Sequence, residues 1–186
     1  MFNLAQKLLL KLPPEIAHDM AISGLRFFGN LPGSMGPYTS RKKTLFGCEF
    51  ANPIGLAAGL DKDAKAVAGL ARLGFGFVEV GTVTPRAQPG NPQPRLFRLP
   101  EHRALINRMG FNNQGVMAMA QRLSKLRARD QLAGTIIGVN LGKNKDTPLA
   151  DAASDYTACM KHLHALADYF TLNLSSPNTP GLRQLQ

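Results

Sequence analysis

Four apolar runs along this chain each end in a polar loop, and helical segments follow three of them. The runs cover residues 54–58, 77–80, 135–139 and 169–172, and each has the length and composition of a buried strand. Strands that alternate with helices form parallel sheets, whose functional groups gather at the carboxyl ends of the strands. A doubly wound sheet and half of a (β/α)8 barrel both fit this pattern. Because no helix follows the last run, we expect the chain to hold only part of its architecture.

The connecting segments are predicted as three helices and one long loop. Helical periodicity covers residues 64–73, 114–129 and 149–166, whereas residues 81–113 carry five prolines and are predicted as a loop. Loops of this length inside a compact domain are usually functional.

Two further helices are predicted before the first strand. Apolar residues recur at helical spacing over residues 2–12, and Pro13-Pro14-Glu15 ends that helix and begins another that runs to about residue 28. We therefore divide the chain into a helical module, residues 1–40, and a barrel-like part, residues 41–186. An amphipathic helix pair of this kind either packs on the domain or lies on a membrane surface. No apolar run reaches the roughly 18 residues that a membrane span needs.

The composition is that of a folded domain with a large positive charge. Hydrophobic residues make up 44% of the 186, and 22 Lys plus Arg against 12 Asp plus Glu give a net charge of +10. This charge fits nucleic acid, an anionic membrane or anionic small ligands. Nucleic acid is disfavoured, because Trp is absent and no basic stripe alternates with aromatic residues. Cys48 and Cys159 belong to no Cys/His cluster, so we predict neither a disulfide nor a bound metal.

Groups suited to a flat, polar, anionic ligand follow each predicted strand. Residues 57–59, Ala-Ala-Gly, allow the backbone to approach a planar ligand, and Lys62 adds a positive charge. Thr82 follows the second strand, Asn140 the third and Asn173 the fourth. Lys62 alone would be an ordinary solvated lysine. The repetition at successive strand ends favours a binding site.

Two polar segments have the composition of an active-site rim. Residues 173–181 combine two amides and three hydroxyls with two prolines and a glycine, although an ordinary turn has the same composition. Residues 107–113 would fold over a ligand, unless Asn112 or Asn113 simply caps the helix that follows. No histidine lies near a strand end, and the sequence contains neither a zinc-protease motif nor a nucleophile elbow, which argues against hydrolysis.

Six ordered segments together resemble the dihydroorotate dehydrogenase family. They are residues 57–63, 81–86, 94–99, 106–113, 138–146 and 173–183, so the resemblance extends over nearly the whole chain. It implies an α/β fold, a (β/α)8 TIM barrel of which about the first half is present, with an N-terminal two-helix extension. Ser176 stands where soluble class 1 members have a cysteine base. This serine and the helical extension resemble class 2, the membrane-associated branch that uses a quinone.

The resemblance implies oxidation of (S)-dihydroorotate to orotate in de novo pyrimidine biosynthesis, with FMN as hydride acceptor and a membrane quinone as final electron acceptor. Ser176 is implied as the base for the C5 proton, with Thr179 on the path of that proton and Phe111 as its shield from water. The implied FMN contacts are Ala58, Gly59, Leu60, Asp61, Lys62, Thr82, Asn140 and Asn173. The implied substrate contacts are Lys62, Asn107, Arg108, Met109, Gly110, Phe111, Asn173 and Asn178. His18 and Arg98 are implied to line the quinone tunnel.

Three other functions stay open on the sequence. Another FMN barrel could oxidise a reduced pyrimidine that lacks the carboxylate. A non-catalytic half-barrel is the second, because the family keeps another flavin lysine and its phosphate-binding loops in the second half of the barrel. Nucleic-acid binding is the third. Because no Arg/Ser-rich transit peptide begins the chain, we expect peripheral attachment to the cytoplasmic side of a bacterial inner membrane.

Overall fold

A four-stranded parallel sheet forms the centre of the computed structural model, which describes residues 4–33, 37–129, 132, 134–179 and 181–186. In chain order the elements are α1 (Leu4–Lys11), α2 (Pro14–Gly29), β1 (Lys43–Leu45), β2 (Cys48–Phe50), β3 (Gly55–Leu56), α3 (Val67–Ala71), β4 (Phe77–Val83), β5 (Leu96–Leu99), β6 (Ala104–Asn107), α4 (Val116–Ala128), β7 (Ile136–Leu141), α5 (Ala152–Leu163) and β8 (Tyr169–Leu172). Phe2 of the predicted first helix and Pro180 of the predicted rim lie outside the described residues.

The sheet has the order β3-β4-β7-β8, with every neighbouring pair parallel. Each strand of this sheet therefore lies beside the next one along the chain, and each connection between them contains a helix, as in one half of a (β/α)8 barrel. The predicted α/β fold with a parallel sheet is confirmed. Between β4 and β7, Val80 pairs with Val139 and Gly81 with Asn140, so the polar groups that end the two strands lie at one level.

The two faces of the sheet differ in chemistry. Val78 and Val80 of β4 and Ile137 and Val139 of β7 are fully buried in the main core, where they meet side chains of the covering helices such as Met119 of α4 and Leu163 of α5. Side chains alternate across a strand, so the intervening positions face the other way. That second face carries Glu79, whose carboxylate accepts hydrogen bonds from Asn140, Tyr169 and Thr171. The alternation separates an apolar outer layer from a polar barrel interior.

α2 packs closely on α3 because two glycines lie at the crossing. A methyl group at Gly69 of α3 would overlap the carbonyl oxygen of Leu25, and one at Gly29 of α2 would overlap the backbone of Gly69 and Ala68. Ala17 and Ile22 are buried, whereas Ile16, Met20 and Phe27 on the opposite side of α2 are more than half exposed. The helix pair thus uses one face for packing and leaves a second apolar face in solvent.

The prediction of a continuous loop over residues 81–113 was wrong in part. β5 and β6 form an antiparallel hairpin within it, pairing Leu96 with Asn107 and Leu99 with Ala104. The strand of residues 96–99 is enclosed by Pro94 and Pro100, whose turn-forming tendency hides a short pairing segment in the sequence. The segment is a loop-hairpin-loop rather than a continuous loop.

Element ends also differ from the prediction for local reasons. α3 is shorter than residues 64–73 because the carboxylate of Asp61 accepts hydrogen bonds from the backbone N–H groups of Lys65 and Ala66, at 2.8 and 2.7 Å, and holds them outside the helix. The predicted cap of α4 was wrong, because Gly115, with φ of +82°, is the N-cap residue and no side chain caps the helix. Asn113 instead accepts a hydrogen bond from the N–H of Gly115 at 2.8 Å.

Candidate active site

A cavity of about 510 Å³ lies at the carboxyl ends of the strands, beneath the N-terminal part of α2. It is lined by the loops that follow β3, β4 and β8 and by the segment after β6. Twelve of the residues implied by sequence line this cavity, namely His18, Gly59, Leu60, Asp61, Lys62, Thr82, Asn107, Met109, Gly110, Phe111, Ser176 and Asn178. Motifs that are up to 160 residues apart in sequence, from His18 to Asn178, therefore share one site.

Asn140 and Asn173 lie directly behind the cavity and orient Thr82. The hydroxyl of Thr82 donates to Oδ1 of Asn140 at 2.6 Å, and Nδ2 of Asn173 donates to Thr82 Oγ1 and to Asn140 Oδ1, both at 3.2 Å. Nδ2 of Asn140 donates to Glu79 at 2.9 Å. Because the Asn140 amide has partners on both sides, its orientation is fixed. The cluster presents ordered polar groups at three adjacent strand ends.

Glu79 anchors this cluster from the barrel interior. One carboxylate oxygen accepts from Asn140, and the other accepts from the hydroxyls of Tyr169 at 3.1 Å and Thr171 at 3.0 Å. Burial, together with the neighbouring Glu79, raises the pKa of Tyr169, so the phenol keeps its proton and remains a donor. The network connects three strands through side chains as well as through the backbone ladder.

Lys62 is a central cation of the cavity, whose lining also includes Lys65. Its Nζ donates to the carbonyl oxygen of Gly59 at 2.8 Å, which keeps the side chain folded toward the loop that follows β3. Burial lowers the pKa of Lys62 the most, and the positive charge of Arg95 lowers this pKa further. A desolvated ammonium group gains more from an anionic partner than a solvated one does. The cavity therefore favours a ligand that carries a carboxylate or another negative charge.

Hydrogen bonds from the preceding loop hold residues 107–113 over the site. Nε2 of Gln88 donates to the carbonyl oxygens of Gly110 and Phe111, at 3.0 and 3.2 Å, and Asn91 bonds the backbone of Arg108 and Met109. The Phe111 ring lies against Gly142, where any side chain would collide with the ring and with the Thr82 methyl group. These hydrogen bonds thus fix the Phe111 ring beside the polar cluster.

Ser176 lies in the segment after β8 and faces the cavity together with Asn178. The backbone N–H of Asn178 donates to Oγ of Ser176 at 3.3 Å. Nε of Arg183 donates to the carbonyl oxygen of the preceding Ser175 at 2.9 Å, and Thr179 is buried. The segment is therefore held from its carboxyl side, with Ser176 in the lining of the cavity.

Comparison with known proteins identifies the family. A family profile described as dihydroorotate dehydrogenase matches residues 40–186. The chain belongs to the dihydroorotate dehydrogenase family. It is 54% identical over all 186 residues to "Dihydroorotate dehydrogenase (quinone)" of Aromatoleum aromaticum and 52% identical to the protein of that name from Stenotrophomonas maltophilia, of which it covers 52% and 53%. The chain spans about half the length of the curated relatives that it matches.

Solved structures agree with this family assignment. The crystal structure of dihydroorotate dehydrogenase from Eimeria tenella in complex with ferulenol superposes with a TM-score of 0.83 at 44% identity, covering 100% of this chain and 50% of the other. The ligand-free form from the same organism gives a TM-score of 0.79 at 46% identity. The α/β architecture described above is thus the first half of a (β/α)8 barrel of this family.

Several residues that family resemblance implies for the site do not line the cavity. Arg108 donates from Nε and Nη2 to the carbonyl oxygen of Pro94, at 3.2 and 2.9 Å, and its side chain is exposed. Arg98 donates to the carbonyl oxygens of Leu10 and Leu12, at 3.0 and 2.6 Å, and so caps the C-terminal end of α1. Ala58 also lies outside the lining, next to Gly59. These residues border the site, and their contacts with a ligand stay predictions.

Sequence reasoning assigned no contact to seven lining residues, Glu15, Asp19, Ile22, Asp63, Lys65, Leu96 and Asn112. Glu15 forms a bidentate ion pair with Arg95, with Nη2 at 2.8 Å and Nε at 3.0 Å from the carboxylate, and this pair fastens α2 to the hairpin. Oδ1 of Asn112 is buried and has no hydrogen-bond partner among the described residues. The placement of Glu15 depends on a contact over 80 residues, so only its position in the first turn of a helix was visible in sequence.

The described residues contain neither a cluster of metal ligands nor a membrane-spanning helix. No group of three or more His, Cys, Asp or Glu side chains there is arranged to hold a metal ion. Of the helices in this part of the chain, none has both the length and the apolar character needed to cross a membrane.

Proposed function

We propose that this chain carries the substrate-oxidising site of a quinone-dependent dihydroorotate dehydrogenase, which converts (S)-dihydroorotate to orotate in de novo pyrimidine biosynthesis. The observation that carries the proposal is the single cavity in which Ser176, Lys62, Asn107 and Asn178 meet. The names of the relatives from Aromatoleum aromaticum and Stenotrophomonas maltophilia support it.

The lining suits a dihydropyrimidine that carries a carboxylate. Lys62 supplies the positive charge for the carboxylate, and the amides of Asn107 and Asn178 supply both donors and acceptors for the ring N–H and C=O groups. Asn112, whose buried oxygen lacks a partner among the described residues, offers a further acceptor. A dihydropyrimidine without the carboxylate would leave Lys62 desolvated and unpaired, so this site selects dihydroorotate over dihydrouracil.

The residues present also fit FMN. A methyl group added at Gly59, where φ is +112°, would meet nothing within 4 Å, so the backbone there is open to a planar ring. Thr82, Asn140 and Asn173 form the polar cluster beside it. These groups, with the backbone of residues 58–62, would hold the isoalloxazine ring. When bound, FMN supplies a hydride acceptor for C6 of the substrate.

Ser176 is the proposed base for the C5 proton. A serine hydroxyl is a weak base, so the site has to pass the proton onward and stabilise the negative charge that develops on the substrate. Lys62 and the amide groups of the lining serve the second requirement. Buried Thr179 is three residues beyond Ser176 and offers a hydroxyl for the outgoing proton. The Phe111 ring excludes water from the cavity.

The helix pair is the proposed entrance for the quinone. His18 of α2 lines the same cavity, so α2 forms one wall that a quinone ring would contact. Burial, with the charge of Lys62, lowers the pKa of His18, which favours the uncharged imidazole on this wall. Arg98 holds the last turn of α1 beside this wall. We place the protein peripherally on the cytoplasmic side of the bacterial inner membrane, with the exposed apolar face of α2 toward the lipid.

The decisive experiment follows flavin reduction by dihydroorotate in anaerobic single-turnover mixing of the full-length protein. The Ser176→Ala variant is expected to slow flavin bleaching by at least about 100-fold, because general base catalysis contributes roughly 10²–10⁴-fold. The matched control is Ser124→Ala, which removes an exposed hydroxyl from α4. Wild-type bleaching in Ser176→Ala would exclude Ser176 as the base. A purified protein that holds no flavin, or that oxidises dihydrouracil equally well, would contradict the proposal as a whole.

A further inference from the structure

A second cavity, which shares only Lys65 with the lining of the site described above, is strongly basic. It has a volume of about 450 Å³ and lies between the C-terminal part of α2, the start of α3 and the outer face of α4. Five cationic side chains line it, Arg26, Lys65, Arg122, Lys125 and Arg129, and no Asp or Glu is among its described lining residues. We refer to it as the basic cleft.

The charges of the basic cleft are poorly compensated. Within the described part of the chain, Arg26, Lys125 and Arg129 form no ion pair with any carboxylate. Among the described residues, Lys65 is the one cation of the cleft with an ion-pair partner, Asp63 at 3.5 Å. Like charges repel one another, and a cluster of this kind costs folding free energy unless an anion neutralises it. The cleft therefore has an electrostatic reason to bind one.

One cation of the cleft is already held in position. Nη1 of Arg122 donates to the carbonyl oxygen of Asp63 at 2.9 Å, and Nη2 donates to Oε1 of Gln114. Its half-buried side chain therefore loses little conformational entropy when a ligand binds. The amides of Asn30 and Gln121 add neutral donors to the same lining. Arg forks pair with carboxylate and phosphate alike, but five cations with two amide groups match the larger charge and the greater number of oxygens of a phosphate.

The shape of the cleft limits the ligand. Its floor consists of small residues such as Ala64, Ala68 and Ala118, which leave room for an anion close to the helices. No aromatic side chain lines it, so it lacks the stacking surfaces with which proteins hold single-stranded nucleic acid. A volume of about 450 Å³ accommodates a headgroup or a small phosphorylated compound rather than a polymer strand.

We propose that the basic cleft is a binding site for a phosphate-bearing ligand, either the headgroup of an anionic phospholipid or a soluble phosphate compound. Arg26, which lines the cleft, is next in sequence to Phe27 of the exposed apolar face of α2, so the cleft and that face share one helix. This adjacency lets a lipid headgroup enter the cleft while α2 lies on the bilayer. The proposal is independent of the reaction proposed above, because the cleft residues Arg26, Lys125 and Arg129 line no part of the substrate cavity.

The test measures binding of the full-length protein to two probes, vesicles of phosphatidylcholine with and without phosphatidylglycerol, and inorganic pyrophosphate. The Arg26→Gln/Lys125→Gln variant is expected to bind its probe about 20- to 30-fold more weakly, because each cation beside an anionic phosphate contributes about fivefold. Binding of the anionic vesicles alone assigns the cleft to a lipid headgroup, whereas saturable binding of pyrophosphate assigns it to a soluble compound.

The matched control is the Arg41→Gln/Lys161→Gln variant, which removes the same charges from exposed positions outside the cleft. Thermal melting of both variants shows whether they remain folded. An equal loss of binding in the two variants would reduce the effect to net charge and overturn the proposal. Failure of the wild-type protein to bind either probe would overturn it as well. Flavin reduction by dihydroorotate is unaffected in both variants, which separates this test from the test of the reaction.

Discussion

At the scale of single residues, Lys62 combines a positive charge with burial, and this combination makes its protonation sensitive to pH. Its pKa is lowered from 10.5, first by burial and then by Arg95. A carboxylate ligand binds only the protonated form strongly. Substrate affinity is therefore expected to fall in a pH range in which an ordinary lysine would still be charged.

We predict that the dissociation constant for dihydroorotate rises about tenfold for each pH unit above the lowered pKa of Lys62, starting below 10.5. In the same window the unfolded chain holds more protons than the folded protein, so this group makes the free energy of unfolding increase with pH. As pH rises through this window, affinity for the substrate therefore falls while the contribution of Lys62 to stability increases. Ligand titration across pH provides the measurement.

A neutral replacement provides the comparison for Lys62. The Lys62→Met variant is expected to bind weakly at neutral pH and to show no inflection in this window, whereas Lys161→Met, on the exposed face of α5, should follow the wild-type profile. A wild-type profile that stays flat up to pH 10.5 would show that Lys62 does not pair with the substrate.

Much of the site could be predicted from sequence at this scale, because strand ends are encoded locally. Thr82, Asn140 and Asn173 each follow an apolar run, and parallel pairing alone brings them together. Glu15 and Arg95 could not be predicted as a pair, because each needs a partner 80 residues away. The direction of the Arg98 side chain, toward backbone carbonyls of α1, likewise depends on tertiary packing.

At the scale of elements, the ion pair between Glu15 and Arg95 fastens α2 to the β5–β6 hairpin. The side chains of Glu15 and Arg95 are 24% and 10% exposed, against 64% and 57% for the pair between Glu49 and Lys42. Exposed pairs contribute about 0–1 kcal/mol, whereas hydrogen bonds between shielded charges contribute about 1.5–3 kcal/mol. The first pair is therefore the one expected to matter for stability.

We predict that Glu15→Gln lowers the free energy of unfolding by about 1.5–3 kcal/mol at neutral pH, with Glu49→Gln as a control that changes it by less than about 1 kcal/mol. The hydrogen bond from Arg95 lowers the pKa of Glu15 below 4.5. This stabilisation is present above pH 4.5 and is lost as pH falls through the lowered pKa. Urea denaturation at several pH values should show Glu15→Gln and the wild type converging in acid. A constant difference at all pH values would contradict the ion-pair explanation.

The crossing of α2 and α3 provides a second prediction at this scale. Gly69→Ala is expected to destabilise the protein by at least about 1–3 kcal/mol, because the new methyl group overlaps the Leu25 carbonyl. The control is Gly24→Ala in α2, where nothing lies within 4 Å of an added methyl group and the helix gains about 0.5–1 kcal/mol. Amide hydrogen exchange of α2 measures the change directly. Equal exchange in the two variants would show that α2 does not depend on this crossing.

The elements themselves were predicted unevenly. The apolar run that became β8 coincides with the predicted residues 169–172, and β4 and β7 extend beyond their predicted ends because pairing continues into the polar residues. The β5–β6 hairpin was missed because its strands are four residues long and β5 lies between two prolines. Short strands are stabilised by their partners, and a single sequence does not show which partner is available.

At the scale of the whole molecule, the exposed apolar residues of α2 raise the question of what they contact. Ile16, Met20 and Phe27 are 52%, 53% and 70% exposed and share one side of the helix. The division into a helical module and a barrel-like part stays a prediction, although Glu15 and Arg98 join the helices firmly to the hairpin. An apolar face held in a fixed orientation suits attachment to a bilayer.

We predict that Met20→Gln weakens binding to phospholipid vesicles about tenfold, which corresponds to burial of one apolar side chain of this size. Met117→Gln on α4 is the matched control, because Met117 is 54% exposed and Met20 is 53% exposed. Flavin reduction by dihydroorotate should be unchanged in both variants, while reduction of a membrane quinone falls only in Met20→Gln. Equal vesicle binding by the two variants would exclude this face of α2 as the attachment surface.

The close crossing at Gly69 also restricts how this protein can evolve. The obstacle to a larger residue there is the carbonyl oxygen of Leu25, a backbone atom that is present whatever amino acid occupies position 25. A substitution of Leu25 cannot create the missing space, because its backbone carbonyl remains. A single compensating substitution at position 25 therefore cannot restore the stability lost when Gly69 is replaced. We expect descendants to lose this glycine only together with a shift of the whole of α2, which makes the residue a marker for lineages that keep α2 in this position.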